Sequence, residues 1–212
     1  MITPEQLTEY HRDILKEIGN IGAGNAATAL SELMQKSIDM ALPTVNLVPF
    51  HEVVQMVGGE ETVVAATFFR VTGDAPGNMF LIFTVDEATT ILRELTGDPE
   101  LDEESILTSE MVWSALQETA NILAGSYLSS FSDFTGLNLS PSVPFLTIDM
   151  AAAVLSFGLM EMSQVSDYAI IIDTQLKNGS SEQSGVDSHF LLLPDPDSFQ
   201  KIFQSLGVPL NE

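Results

Sequence analysis

Two stretches of this chain repeat one spaced pattern 101 residues apart. The first is Asp13, Glu17, Asn20 and Pro43; the second is Ser114, Glu118, Asn121 and Pro144. In each, Glu follows the Asp or Ser by four positions, Asn follows by three more, and Pro stands 23 beyond the Asn. Residues at i, i+3, i+4 and i+7 share one face of a helix, so each trio reads as a polar stripe on a helix. A stripe copied in register within one chain predicts two similar halves and a duplicated functional surface.

The rest of the sequence reads as one order of elements used twice. Thr3-Pro4-Glu5-Gln6 predicts a helix start, with Thr as cap, Pro in the first turn and Gln6 as the capping-box partner. Apolar positions Leu7, Ile14, Leu15, Ile18 and Ile21 keep a helical period through residue 35. Gly19, Gly22 and Gly24 interrupt it, which predicts a bend or a close approach by another element. Beyond Pro43 the pattern predicts a strand Val45 to Val48, a short helix His51 to Val57, and strands Thr62 to Val71 and Asn78 to Thr84. A helix from an Asp86 cap to Leu95 follows, and residues 97 to 105 read as an acidic turn forming the seam.

The second half is predicted as a long helix over about 106 to 133, a strand from Pro144 to Ile148 and a helix Met150 to Met162. Strands Tyr168 to Leu176 and His189 to Leu193 follow, then a helix Ser198 to Leu206. Its tail runs about ten residues out of register, an offset assigned to the Gly/Ser-rich loop Asn178 to Gly185. The prediction is therefore an α/β (α+β) fold: a single domain over 1–212 made of two homologous halves, about 1–100 and 101–212. Its long motif-bearing helices pack on an antiparallel β-sheet, with helices on one side.

Charge narrows the partners. The net charge is −23, from 30 acidic and 7 basic residues. Such a surface repels phosphate backbones and anionic lipid, which predicts neither nucleic-acid nor membrane binding and a partner that offers basic residues. With no export signal or long apolar run, a cytoplasmic location is expected. Zero cysteines excludes disulfides, thiolate ligands and cysteine nucleophiles.

Other motifs are weak. Gly22-Ala23-Gly24-Asn25-Ala26-Ala27 fits a loose dinucleotide-binding pattern, but that motif must follow a strand, and here helical periodicity precedes it. His11, His51 and His189 lack ligand spacing, and Asp195-Pro196-Asp197-Ser198 reads as a turn and cap rather than a calcium loop. No Ser–His–acid set can be assembled. Taken alone, Glu17 and Glu118 read blandly as solvated helix residues, and the repeated Glu/Asn pairs read either as a functional surface or as a shared packing role inherited by duplication. The Asn positions favour function, because Asn is roughly 0.5 kcal/mol worse than Ala inside a helix.

The stretches Asp13 to Gly24 and Glu118 to Gly125 closely resemble the CheC-type chemotaxis phosphatases, whose pattern [Asp/Ser]-x3-Glu-x2-Asn-x22-Pro both copies satisfy. The resemblance covers nearly the whole chain, including Gly125-Ser126-Tyr127-Leu128 and Pro141-Ser142-Val143-Pro144. It implies accelerated hydrolysis of the aspartyl phosphate of the response regulator CheY. By resemblance, Asn20 and Asn121 orient the attacking water, and Glu17 and Glu118 dock on the regulator's active-site lysine. Asp13 and Ser114 would serve helix docking or local hydrogen bonding. The chain would need no cofactor of its own, the Mg²⁺ being supplied by the regulator. A monomer would suffice, because both sites lie in one chain. The resemblance also implies a second partner, the receptor deamidase CheD, with a contact near Asp149 to Gln164. The rival reading is accordingly a non-catalytic binding module acting mainly through CheD, and two intact Glu/Asn pairs favour catalysis over it.

Overall fold

The computed structural model describes residues 8–41, 43–162, 168–178 and 185–207. In chain order the elements are α1 (Glu9–Met34), β1 (Ile38–Met40), β2 (Thr44–Pro49), α2 (Phe50–Met56), β3 (Val63–Gly73), β4 (Gly77–Thr84) and α3 (Val85–Thr96). Then come α4 (Glu103–Thr108), α5 (Glu110–Thr135), β5 (Leu139–Pro141), β6 (Phe145–Met150), α6 (Ala151–Met162), β7 (Tyr168–Asn178), β8 (Gly185–Pro194) and α7 (Pro196–Ser205). Among these, no helix is long and apolar enough to cross a membrane.

All eight strands join one antiparallel sheet. Its middle runs β7-β8-β4-β3; β1 and β2 lie along the outer edge of β7, and β5 and β6 along that of β3. The edge strands are therefore exchanged: β2 pairs with β7 from Thr44↔Asp173 to Pro49↔Tyr168, while β6 pairs with β3 from Val63↔Met150 to Phe68↔Phe145. At the centre β4 and β8 pair from Gly77↔Pro194 to Ile82↔His189. The edge of β3 is covered only when the second half lends a strand, and the edge of β7 only when the first does, so each half masks the other's unpaired backbone.

The middle strands are apolar on both faces, as expected of strands covered twice. Leu81, Phe83, Ile170, Phe190 and Leu192 face the larger core with α1, α3, α5 and α7. Phe80, Ile82, Ile171 and Leu191 face a smaller one, capped by Val53 of α2, by Val57 just after it, and by Ala151, Val154 and Leu155 of α6. This corrects the expectation of helices on one side only. The helices α2 and α6 shield this second apolar face.

Several boundaries also differ from the expected ones. Helix α1 begins after Thr8, whose extended backbone (φ −72°, ψ 166°) excludes a helix running continuously from residue 4; Thr3 to Gln6 lie outside the described residues. The Thr8 N–H donates to His11 Nδ1 at 3.2 Å, so the imidazole closes the helix start. The cap of α3 is Thr84 rather than Asp86: its Oγ1 accepts from the Glu87 N–H and its own N–H donates to the Glu87 carboxylate at 2.7 Å. The expected helix over 106–133 is two helices, broken at the extended Ser109, with Asp102 capping α4 inside the supposed acidic seam. Trp113 Nε1 donates to the Ile106 carbonyl at 2.6 Å and braces the break. The short strands β1 and β5 were not expected, because three residues carry too little periodicity to read. Finally, β2 and β6 start 101 residues apart but β3 and β7 start 105 apart, so the register offset begins in α6, 12 residues long against 7 for α2.

Asp195 precedes α7 and is engaged by Arg70 through two hydrogen bonds, while Arg70 Nη1 also donates to Asn78 Oδ1 at 3.0 Å. That occupation supports a turn rather than a calcium loop. A second carboxylate ties the β3–β4 turn to the link after α5: Asp74 Oδ2 accepts from Asn138 N–H at 2.8 Å and from Asn138 Nδ2 at 3.0 Å. Those bonds hold the Asp74 carboxyl below its ordinary range. A depressed folded pKa contributes stability that is present above the ordinary carboxylate value and lost as pH falls through the folded one. Asp74→Asn is expected to melt below wild type at neutral pH, with the gap closing below about pH 4. Thermal melts of both proteins across that range check it, and a gap independent of pH would contradict it.

Candidate functional site

Helices α1 and α5 each span 26 residues, and their buried residues set the outward face by elimination. Leu15, Ile18, Ala23, Ala26 and Leu30 of α1, and Val112, Leu116, Ala120, Leu123 and Tyr127 of α5, enter the larger core. One face of each helix is thus committed, and Asp13, Glu17, Ser114, Glu118 and Asn121 are exposed, with Asn20 half-buried. Ser114 Oγ donates back to the Glu110 carbonyl at 3.0 Å, so that hydroxyl is satisfied by its own helix.

Glu17, Asn20, Glu118 and Asn121 make no side-chain hydrogen bond or ion pair among the described residues. Each Glu sits one turn before its Asn, about 4.5 Å along the axis. Each pair therefore offers a carboxylate and an amide to solvent side by side. The amide carries both an acceptor and two donors; the carboxylate only accepts. The arrangement can hold a water and a cation at adjacent points without moving the backbone. The structure thus joins Glu to Asn within each helix, and each helix presents its own pair.

The distant prolines act through the backbone. Pro43 is buried, and a Cβ added at Gly19 would lie 3.1 Å from its Cγ and 3.1 Å from Val45 Cγ2. Glycine just before Asn20 thus lets the chain entering β2 lie against the turn that bears the motif. In the second half that place is taken by the fully buried Ala120, and Gln117 Nε2 donates to the Pro144 carbonyl at 3.5 Å. The sequence marked these prolines by spacing but held no local signal for what they touch.

The two helices pack on one another where Gly22 meets Tyr127. A Cβ there would stand 2.5 Å from Tyr127 Cδ1 and 3.2 Å from its Cα. The Tyr127 ring lies 4.5 Å from that of Phe190, and Asn25 Nδ2 donates to Ser130 Oγ at 3.1 Å nearby. The dinucleotide-like glycine run lies wholly inside α1 with no strand before it, and Gly19 and Gly22 are packing positions. Because both the ring and the backbone of Tyr127 block a methyl, Gly22→Ala is expected to destabilise the protein by about 1–3 kcal/mol of overpacking. Urea unfolding measures it, and an unchanged midpoint would show that the crossing can relax. The Tyr127 hydroxyl is buried without a hydrogen-bond partner among the described residues, and that burial pushes its pKa up.

The histidines stand apart from the motif pairs. His11 caps α1, and His189 Nδ1 lies 2.7 Å from Asp173 Oδ1 across β7 and β8; the His51 side chain lies outside the described residues. Among the described residues, no His, Asp and Glu side chains gather into a group that could hold a metal ion. On the opposite sheet face, Phe68, Phe80, Phe145 and Val154 line an open cavity of about 270 Å³ with Asp149 at its side. Met150, the last residue of β6, is 49% exposed.

A family model described as the CheC-like family matches residues 11–47 and 111–148, the two stretches that run from each helical stripe to its proline and the strand beyond. The chain is 46% identical over 204 residues to the CheY-P phosphatase CheC of Bacillus subtilis (strain 168), covering 96% of this chain and 97% of that protein. It is 30% identical over 140 residues to the flagellar motor switch phosphatase FliY of the same organism, covering 66% of this chain and 36% of FliY. The fold is similar to the crystal structure of Thermotoga maritima FliY, with a TM-score of 0.72 and 21% identity over 98% of both chains. Two intact motif pairs on twin helices, matched nearly end to end at that level of identity, mean that this chain belongs to the CheC-like family.

Proposed function

We propose that this chain is a phosphatase that speeds hydrolysis of the aspartyl phosphate on a CheY-type response regulator. The observation that carries the reading is the pair of solvent-facing Glu–Asn sets on α1 and α5, which have no side-chain partner among the described residues. The near full-length relative of Bacillus subtilis bears the name CheY-P phosphatase CheC, which supports it. In this reading Glu17 or Glu118 pairs with the regulator's active-site lysine and sets the helix in register. The Asn20 or Asn121 carbonyl then accepts a hydrogen bond from a water and aims it in line with the scissile phosphorus–oxygen bond. Asp13 and Ser114 support the docking turn. The phosphoryl group passes to that water, and no bond to this chain forms. Mg²⁺ belongs to the regulator and supplies charge neutralisation there.

The reading includes one unit of two homologous halves, about 1–100 and 101–212, each contributing one site and acting as a monomer in the cytoplasm. A second contact, with a CheD-type receptor deamidase, is assigned to Asp149 through Gln164. The exposed Met150 and the apolar cavity beside α6 support it; residues 163 and 164 lie outside the described residues. The test of the main reading is phosphate release from phosphorylated CheY with and without this protein. An unaltered rate of release would overturn it.

A further inference from the structure

Glycine inside a helix is about 1 kcal/mol worse than alanine, so each helical glycine calls for a reason. Gly19 and Gly22 have one in their close neighbours, Pro43 and Tyr127. Gly24 and Gly125 do not: a Cβ at either would meet nothing within 4 Å, and neither has a positive φ. Among the glycines whose surroundings are described, every other one sits at positive φ or against an atom that a methyl would strike. These two occupy the same place in the two halves, 101 residues apart, each four positions beyond the motif Asn. Four residues advance a helix by ~6 Å and turn it by ~40°, so each glycine lies about one turn past Asn20 or Asn121, with Gly24 exposed and Gly125 half-buried.

The other end of each stripe is marked as well. Tyr10 and Met111, also equivalent by position, are 65% and 72% exposed and stand three residues before Asp13 and Ser114. Ile21, next to Asn20, is 40% exposed. Each helix therefore presents, in order, a large apolar side chain, the carboxylate, the amide and a stretch of bare backbone. Neither Tyr10 nor Met111 is packed into the core, and the fold explains neither glycine. A partner that seats its apolar rim on Tyr10 or Met111 and brings its own main chain against the helix at the glycine explains both.

We propose that Gly24 and Gly125 are positioning residues: they let the phosphorylated regulator approach the helix backbone closely enough for the adjacent Asn to reach the phosphoryl group. This rests on the phosphatase reading and deepens it. A methyl at either glycine holds the regulator's surface away from the helix and misplaces the amide, while leaving the amide itself intact.

The test is the Gly24→Ala/Gly125→Ala double variant of the full chain, with CheY phosphorylated in solution as the probe. Thermal unfolding should rise, because alanine is the better helix former and the added methyls touch nothing internal. The KM for phosphorylated CheY should increase roughly ten-fold, as expected for a methyl forced into a packed contact, with a smaller fall in kcat. A Gly→Val pair should raise KM further, although valine is the poorer helix former. A raised melting temperature together with an unchanged KM overturns the proposal. So does a lowered melting temperature, which would mean that the glycines serve the helix itself. The Asn20→Ala/Asn121→Ala variant, assayed alongside, separates the two readings. If it is inactive while the glycine variant keeps its KM, only the footprint is wrong; if it stays fully active, the phosphatase mechanism is wrong as well.

Discussion

Replacing Asn20 and Asn121 together by alanine is expected to slow hydrolysis of phosphorylated CheY on the order of 10²-fold, the cost of losing the group that positions the attacking water. Each single change should cost less than two-fold or so in total turnover, because the other site keeps working. The fold predicts no penalty from the change. Asn20 is half-buried, Asn121 is exposed, neither amide bonds among the described residues, and alanine favours helix. A double variant that melts no lower than wild type but has lost its activity isolates the chemistry from stability. Turnover at the wild-type rate would show that the amides do not position the water.

The second large effect is expected at Glu17 and Glu118. An exposed ion pair contributes ~0–1 kcal/mol, but one desolvated inside a docked active site costs about 2 kcal/mol or more when its charge is removed. The Glu17→Gln/Glu118→Gln variant keeps shape and helix propensity, and should bind phosphorylated CheY about 30-fold more weakly. Wild-type association should also slow as salt rises, since the chain carries −23 charges and the screening length shortens to ~10 Å by 0.1 M. Because many acidic residues remain, that salt dependence should persist in the variant while its affinity stays low. Binding measured for both proteins at low and moderate salt checks this; equal affinities would reduce the two glutamates to solvated helix residues.

The pairing of β2 with β7 and of β6 with β3 bears on how the two sites depend on each other. Each motif helix is followed by a strand that pairs in the other half, and Gly22 of α1 packs on Tyr127 of α5. Damage to one helix therefore loosens the support of both. That is why outward-facing substitutions, rather than truncation of one half, are the changes that can silence one site and spare the other.

The sequence by itself determined what is local or periodic. A 3.6-residue repeat placed Asp13, Glu17 and Asn20 on one face before any contact was known, and the 101-residue spacing placed Ser114, Glu118 and Asn121 likewise. Alternating or continuous apolar runs likewise located β3, β4, β7 and β8 to within a few residues, except the start of β8, which begins at Gly185 rather than His189. Only the tertiary structure decided which strand borders which, because an edge strand such as β2 chooses its neighbour through backbone hydrogen bonds that every residue type can make. It alone showed that Pro43 rests on Gly19 and that Tyr127 fills the space left by Gly22, contacts between residues up to 105 positions apart. It also distinguished those glycines from Gly24 and Gly125, which the sequence presents as the same residue in the same helical setting. The difference lies in what stands opposite each one, and in a folded chain that is set by packing across the whole molecule rather than by neighbours along it.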